Sequence, residues 1–232
     1  MERFIADEIR GSYLVLAPSE AKHLRALRLK EGSTIQALHE GSLYTCKIVK
    51  IGRGEVLCEI LEVETPTLPK PSVVLYQCVP IHLNTMDEII DKVSQVGAER
   101  LVPVISKRSF QKMEAILDRY SRWERIALSA FKQCKRPLPL KIDKPVRIEH
   151  IKVEQKVALV FDNFEAKASL RDVPLWEESY ALLVGPEGGL TQEEVSLLKD
   201  RGFLPVLLRP YIMRVETAST VAVALIMNLF SQ

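Results

Sequence analysis

The sequence contains no run of about 18 uncharged apolar residues, the length a helix needs to cross a bilayer, which excludes a bundle of membrane-spanning helices. Cysteine is sparse and scattered. Cys46, Cys58, Cys78 and Cys134 form no Cys-x-x-Cys pair, so neither a zinc site nor a disulfide framework is expected in a chain long enough to build a core without staples. An excess of charge of one sign is missing too. Lys and Arg number 32 against 30 Asp and Glu, giving a formal net charge of +2 and a pI near 8.3. Bulk charge therefore announces no nucleic-acid binder, and any basic surface must be local. Internal repeats and low-complexity tracts are absent. The first residues, Met1-Glu2-Arg3-Phe4-Ile5-Ala6-Asp7-Glu8, carry charge and no apolar core, so a secretory signal is not expected and a cytoplasmic setting is.

What is present describes a globular protein: 47% hydrophobic and 27% charged residues with a mean hydropathy of +0.03. Its 232 residues suit one large domain or two modest ones. A seam stands out at Thr65-Pro66-Thr67-Leu68-Pro69-Lys70-Pro71, where prolines fix φ and remove backbone donors, and it predicts domains at 1–68 and 69–232. Before the seam, short apolar runs at Tyr13 to Leu16, Thr34 to Leu38, Leu43 to Ile51 and Glu55 to Val63 alternate with glycine turns and predict a small β-barrel. One helix interrupts them, with Ser19 as N-cap and Ala21, Leu24, Leu27 and Leu29 on its inner face.

After the seam, aliphatic runs at Val73 to Cys78, Leu101 to Ile105, Val157 to Asp162, Tyr180 to Val184 and Leu204 to Leu208 are separated by helical patterns. Near-continuous apolar strands of this kind predict a buried parallel sheet in an α/β domain. Thr85-Met86-Asp87-Glu88 and Thr191-Gln192-Glu193-Glu194 both have the form of capping boxes, with Gly97 and Gly202 as the matching helix stops. Trp123, Ile126, Ala127, Ala130 and Phe131 mark a third helix, and Ala218, Val221, Ala222, Leu225 and Leu229 a fourth.

In such a sheet, ligands bind beyond the carboxyl ends of the strands. Two loops there are unusual. Val184-Gly185-Pro186-Glu187-Gly188-Gly189-Leu190 gathers three of the ten glycines, which lets backbone amides approach a ligand, though the same pattern suits a tight turn equally well. It is neither a dinucleotide fingerprint nor a P-loop. Arg209-Pro210-Tyr211-Ile212-Met213-Arg214-Val215-Glu216-Thr217-Ala218 runs into the last helix, with Thr217 as its N-cap; Glu216 alone would be a residue complementing the helix dipole, and Arg214 its surface partner.

Taken together, the two segments resemble the SPOUT methyltransferases, and within them the RsmE-type family of 16S rRNA uracil-N3 methyltransferases. Gly185-Pro186-Glu187-Gly188-Gly189 followed by Thr191 and Glu194 is similar to the family's first signature, and Ile212-Met213-Arg214-Val215-Glu216-Thr217-Ala218 to its second. Supporting matches include Arg3-Phe4, His23-Leu24, Leu27-Arg28-Leu29, Pro103, Arg108-Ser109, Arg122-Trp123, Gln133 and Arg136. The resemblance implies a PUA-like RNA-binding barrel ahead of a SPOUT domain with a C-terminal trefoil knot, a threading that general folding rules make rare.

It also implies S-adenosylmethionine as methyl donor and no metal. Its cradle would be Leu183, Val184, Gly185 and Gly189 from one loop, with Leu208, Arg209, Ile212, Met213, Arg214 and Thr217 from the other. Arg214 would stabilise the uracil anion by charge-assisted hydrogen bonds to its carbonyl oxygens, and Glu216 or Glu187 would take the N3 proton, unless they serve only to orient the loop. Arg3, His23, Arg28, Arg108 and Arg136 would contact RNA, with Trp123 in the core. The partners implied are 16S rRNA or the small ribosomal subunit and a second copy of the chain. A SPOUT enzyme for another RNA, or a non-catalytic RNA-binding protein, are the alternatives. One departure touches the cradle: Arg209-Pro210 stands where the family has Leu-Gly, and weaker or altered cofactor contact is expected there.

Overall fold

The computed structural model describes residues 1–52, 54–163, 166, 168–173 and 177–230. Two compact units divide the chain: Met1–Thr67 with Lys132–Leu138, and Leu68–Phe131 with Pro139–Gln232.

In the first unit, β1 (Arg3–Arg10), β2 (Tyr13–Leu16), β3 (Thr34–His39), β4 (Ser42–Ile51) and β5 (Val56–Glu64) form a closed barrel in the order β1-β2-β5-β4-β3. The barrel closes where β1 runs parallel to β3, Phe4 opposite Ala37. Phe4, Leu14, Leu24, Ile35 and Ile48 are fully buried in its centre. β1 escapes sequence patterning because only Phe4 and Ala6 among its inward positions are apolar enough to register, and its second half is exposed. α1 (Glu20–Ala26) departs from expectation at both ends. Ser19 has helical backbone angles and makes no side-chain cap bond. Leu27 is exposed, since the helix stops before it and the chain turns through a positive φ of 56° at Arg28.

In the second unit, β6 (Ser72–Cys78), β7 (Arg100–Ile105), β8 (Lys141–Ile142), β9 (Val146–Arg147), β10 (Val157–Phe161), β11 (Ala168–Ser169), β12 (Ser179–Val184) and β13 (Phe203–Leu207) form one sheet. Its order is β11-β13-β10-β12-β6-β7-β8, with β9 also on β7, and every pairing is parallel. Among the described residues four α-helices accompany the sheet: α2 (Leu83–Gln95), α3 (Met113–Cys134), whose last residues belong to the first unit, α4 (Gln192–Asp200) and α5 (Val215–Phe230). Both faces of the sheet are covered, which is why its strands read as unbroken apolar runs. Val73, Leu75, Tyr180, Leu182 and Val184 pack with residues of α2, α3 and α5. Their neighbours Val74, Tyr76, Ala181 and Leu183 pack on the opposite side, with Val195 and Leu198 of α4.

Helix ends decide where the loops lie. Thr191 is a true capping box: its hydroxyl accepts from Glu194 N at 3.3 Å while Glu194 Oε2 accepts from Thr191 N at 2.9 Å. Thr85 is not. α2 begins earlier, at Leu83 after an extended His82, so Thr85 lies inside the first turn. Gly97 ends α2 at a φ of +105°. Inside this unit Asp87, almost wholly buried, accepts from Arg119 Nη2 at 2.9 Å, Arg122 Nε at 2.7 Å and the buried Trp123 Nε1 at 3.0 Å. Trp123 is thus a core residue, clamped to α2.

Candidate active site

The carboxyl ends of β10, β12 and β13 lie side by side in the sheet, and the loops leaving them enclose a cleft of about 600 Å³. The first wall follows β12. Val184 is the last strand residue, and Gly189 N donates to Pro186 O at 2.8 Å to close a turn in which Gly189 takes a φ of +69°, a conformation only glycine adopts without strain. Two contacts pin this turn from outside. Glu187 Oε2 accepts from Ile81 N at 3.0 Å, and Arg108 Nη1 donates to Gly188 O at 2.7 Å.

The second wall follows β13. Leu208 is buried, and Ile212, Met213 and Arg214 line the cleft before α5 begins at Val215. Helix closure starts at once, with Ala218 N donating to Arg214 O at 2.8 Å. Deeper in, the Ser219 hydroxyl meets both Val215 O, at 2.8 Å, and the side-chain oxygen of fully buried Gln77, tying α5 to the end of β6. Glu216 lies in the first turn of α5, where the helix dipole favours a carboxylate.

Of the expected cradle, Val184, Gly185, Gly189, Leu208, Ile212, Met213 and Arg214 line the cleft, as does Glu216. Three expected residues do not. Leu183 is on the α4 side of the sheet, because successive strand residues point to opposite faces. Arg209 is exposed and outside the lining. Its peptide bond to Pro210 is cis. Thr217 is an exposed residue inside α5 rather than its N-cap, since the helix starts two residues earlier. The cleft also takes in Thr85, Phe161, Asp162 and Asn163, which sequence reading passed over. Phe161, Asp162 and Asn163 lie at the carboxyl end of β10, a strand that becomes central only once the sheet order is known, and Thr85 comes from the first turn of α2.

The residues expected to meet RNA differ in access. Arg28 is exposed, and His23 is partly so, its ring 5.3 Å from that of Phe4 and its Nδ1 3.4 Å from Glu20 Oε2. Arg3 is 9% exposed and Arg136 8%. Arg3 Nε donates to Gln36 Oε1 at 3.0 Å, and its Nη1 donates to the Arg136 carbonyl; burial lowers the pKa of the Arg3 guanidinium. Beside them in the first unit, Lys132 Nζ reaches the buried Glu20 at 2.7 Å. Among the described residues no group of His, Cys, Asp and Glu is placed to hold a metal ion, and no helix is long and apolar enough to cross a membrane.

This combination of barrel and three-layered parallel sheet has a recognisable class. Residues 67–227 match the model of an RNA methyltransferase domain and residues 16–61 that of an RNA methyltransferase PUA domain. The chain is therefore an RNA methyltransferase of the PUA-bearing type. It is 40% identical over 228 residues to the ribosomal RNA small subunit methyltransferase E of Aquifex aeolicus, covering 98% of this chain and 100% of the relative. The protein of the same name from Mesomycoplasma hyopneumoniae is 26% identical, over 94% of this chain and 96% of its own. Among solved structures, ribosomal RNA small subunit methyltransferase E from Neisseria gonorrhoeae, bound to S-adenosyl methionine, superimposes with a TM-score of 0.87 at 26% identity, covering 100% of this chain and 98% of that one. A probable rRNA-methyltransferase from Porphyromonas gingivalis gives 0.86 at 26% identity, over 99% and 98%. The chain belongs to the ribosomal RNA small subunit methyltransferase E family.

Proposed function

We propose that this protein transfers a methyl group from S-adenosylmethionine to N3 of a uridine in the 16S rRNA of the small ribosomal subunit, with residues 1–68 as the RNA-binding module and 69–232 as the methyltransferase domain. The observation that carries this reading is the cleft at the ends of β10, β12 and β13, lined by both signature loops of the family. Its shape suits the donor. Gly185 and Gly189 leave the floor free of side chains, and Leu208, Ile212 and Met213 supply apolar walls. Bound there, S-adenosylmethionine provides an electrophilic methyl group on a sulfonium whose charge is lost on transfer.

The remaining chemistry falls to this chain. Uracil N3 carries a proton and pairs in duplexes, so the base must be unpaired or flipped to enter. Arg214, exposed on the cleft wall, donates to the uracil carbonyl oxygens as negative charge spreads onto them. A carboxylate must accept the N3 proton, and Glu216 from the second signature and Asp162 after β10 both line the cleft. Glu187 is occupied by Ile81 N and serves to hold the loop. Arg28, His23 and Arg108 are accessible to phosphate, while the buried Arg3 and Arg136 support the barrel surface from within.

A second copy of the chain fits the exposed apolar residues Tyr211, Ile212 and Leu229, which are 81%, 77% and 52% accessible. The C-terminal knot and a cytoplasmic location belong to the same reading. Mass spectrometry of rRNA nucleosides from cells with and without the gene tests it: 3-methyluridine is expected to disappear from 16S rRNA and return with the wild-type chain. Its persistence without the gene would overturn the assignment.

A further inference from the structure

A second cleft, of about 610 Å³, lies beside the one described and is lined by Lys107, Arg108, Gln192 and Glu193 among others. Asp162 and Leu190 line both. The two spaces therefore share a wall, and one of the two residues in it is a carboxylate. Asp162 follows directly on β10, its own N–H donates to Val206 O of β13 at 3.2 Å, and it is only 6% exposed. Its backbone is thus fixed between two neighbouring strands at the point where the cofactor cleft meets a space with two cations on its rim. Glu216, by contrast, is half-buried in the first turn of α5 and lines only the first cleft.

From this placement we infer that the target uridine reaches the cleft from the Lys107 and Arg108 side, and that Asp162 is the carboxylate that accepts its N3 proton. The inference rests on the uridine-N3 reading above. In the step, the N3 lone pair forms the new N–C bond as the methyl C–S bond breaks and its electron pair stays with sulfur. The N3 proton passes to Asp162 Oδ and then to water in the second cleft. The products are N3-methyluridine, a neutral thioether and one proton. The same carboxylate selects the base, since N3 of uracil offers it a hydrogen where N3 of cytosine offers only a lone pair.

The test is single-turnover methyl transfer to small ribosomal subunits at saturating S-adenosylmethionine. Asp162→Asn is expected to slow transfer by about 100-fold or more, while cofactor affinity measured by calorimetry moves less than about threefold. RNA carrying 5-fluorouridine at the target, whose N3 proton is more acidic, should restore the variant far more than it speeds wild type. Asp162→Ala carries the same expectations and decides the matter if Asp162→Asn does not fold. A near wild-type rate in a folded variant would overturn the assignment. So would a cofactor affinity weakened more than about tenfold, which would place Asp162 on the donor, or a loss relieved by 5-fluorouridine in Glu216→Gln but not at Asp162. Wild-type protein that forms no 3-methyluridine would instead remove the functional reading itself.

Discussion

Arg108 and Gly188 are joined in two ways: the guanidinium donates to the Gly188 carbonyl at 2.7 Å, and a Cβ on residue 188 would come within 3.3 Å of Arg108 Cδ. A residue expected to touch RNA is therefore also a strut of the loop that walls the cofactor cleft. Arg108→Ala should weaken S-adenosylmethionine binding two- to tenfold even without RNA, the effect of losing a hydrogen bond worth about 0.5 to 1.5 kcal/mol. Calorimetry on the isolated protein is the check, and an unchanged affinity would confine Arg108 to the RNA.

Asp87 should be among the costliest polar residues to remove from the second unit. Its carboxylate satisfies Trp123 Nε1, which is fully buried, as well as Arg119 and Arg122. Asp87→Ala strands the buried indole N–H, while Arg119 keeps Asn84 and Arg122 is open to solvent, and a loss of about 2 to 3 kcal/mol is expected in urea unfolding. Asp87→Asn, which still accepts from Trp123, should lose less.

The two halves of the α4 capping box are unequal. Thr191→Ala removes one acceptor and should destabilise by about 1 kcal/mol. Glu194 also accepts from Lys107 N at 2.6 Å, besides Thr191 N at 2.9 Å, and is nearly buried. Glu194→Ala leaves two backbone donors without their partner, so about 2 to 4 kcal/mol is expected. Equal losses in the two variants would show that the Lys107 bond contributes nothing.

Gly97→Ala tests the packing of α2 against α5. The position has a φ of +105°, and an added Cβ would lie 3.1 Å from both Cε and Cγ of Met227. Strain and overlap together should cost about 2 kcal/mol or more. Shortening the neighbour in Gly97→Ala/Met227→Ala relieves only the overlap, so a double-mutant cycle should show a favourable coupling between the two changes.

Thiol reactivity should single out Cys134. All four cysteines are free; Cys46, Cys58 and Cys78 are buried, and Cys134 is partly exposed. Burial pushes the Cys78 thiol up to about 12, so at pH 8 only about one molecule in ten thousand presents the thiolate there. Mass spectrometry after brief iodoacetamide treatment should find one modified site in the native protein and four after denaturation. Rapid labelling of Cys78 in the native state would contradict its burial.

The fold was legible wherever burial left a periodic trace. Strands β6, β7, β10 and β12 are apolar on both faces because both faces are covered, and the run of residues shows it. β1 was not legible, because half of it is solvated and its closing partner, β3, is far along the chain. The same distinction governs the site. Both signature loops lie where local sequence placed them, since glycine and proline act locally. Asp162 did not announce itself: an aspartate after a strand is ordinary until β10 is known to sit between β12 and β13. Thr85 and Thr217 misled for a related reason. Each has the right neighbours for a cap, but where the chain leaves the preceding strand determines which residue starts the helix.

β12 is hydrogen-bonded along its whole length to β6 and over five residues to β10, with Val184 paired on both sides. The loop that begins at Gly185 thus hangs from a strand paired on both sides, and its own turn and two outside contacts hold it in place. Most of the ordering of that wall is accomplished when the protein folds, so the donor meets a surface already in shape and its binding energy is not drawn off to organise the site. Cofactor affinity should then track the integrity of the central strands, and mutations that loosen β12 far from the cleft should be felt as faster release of the donor.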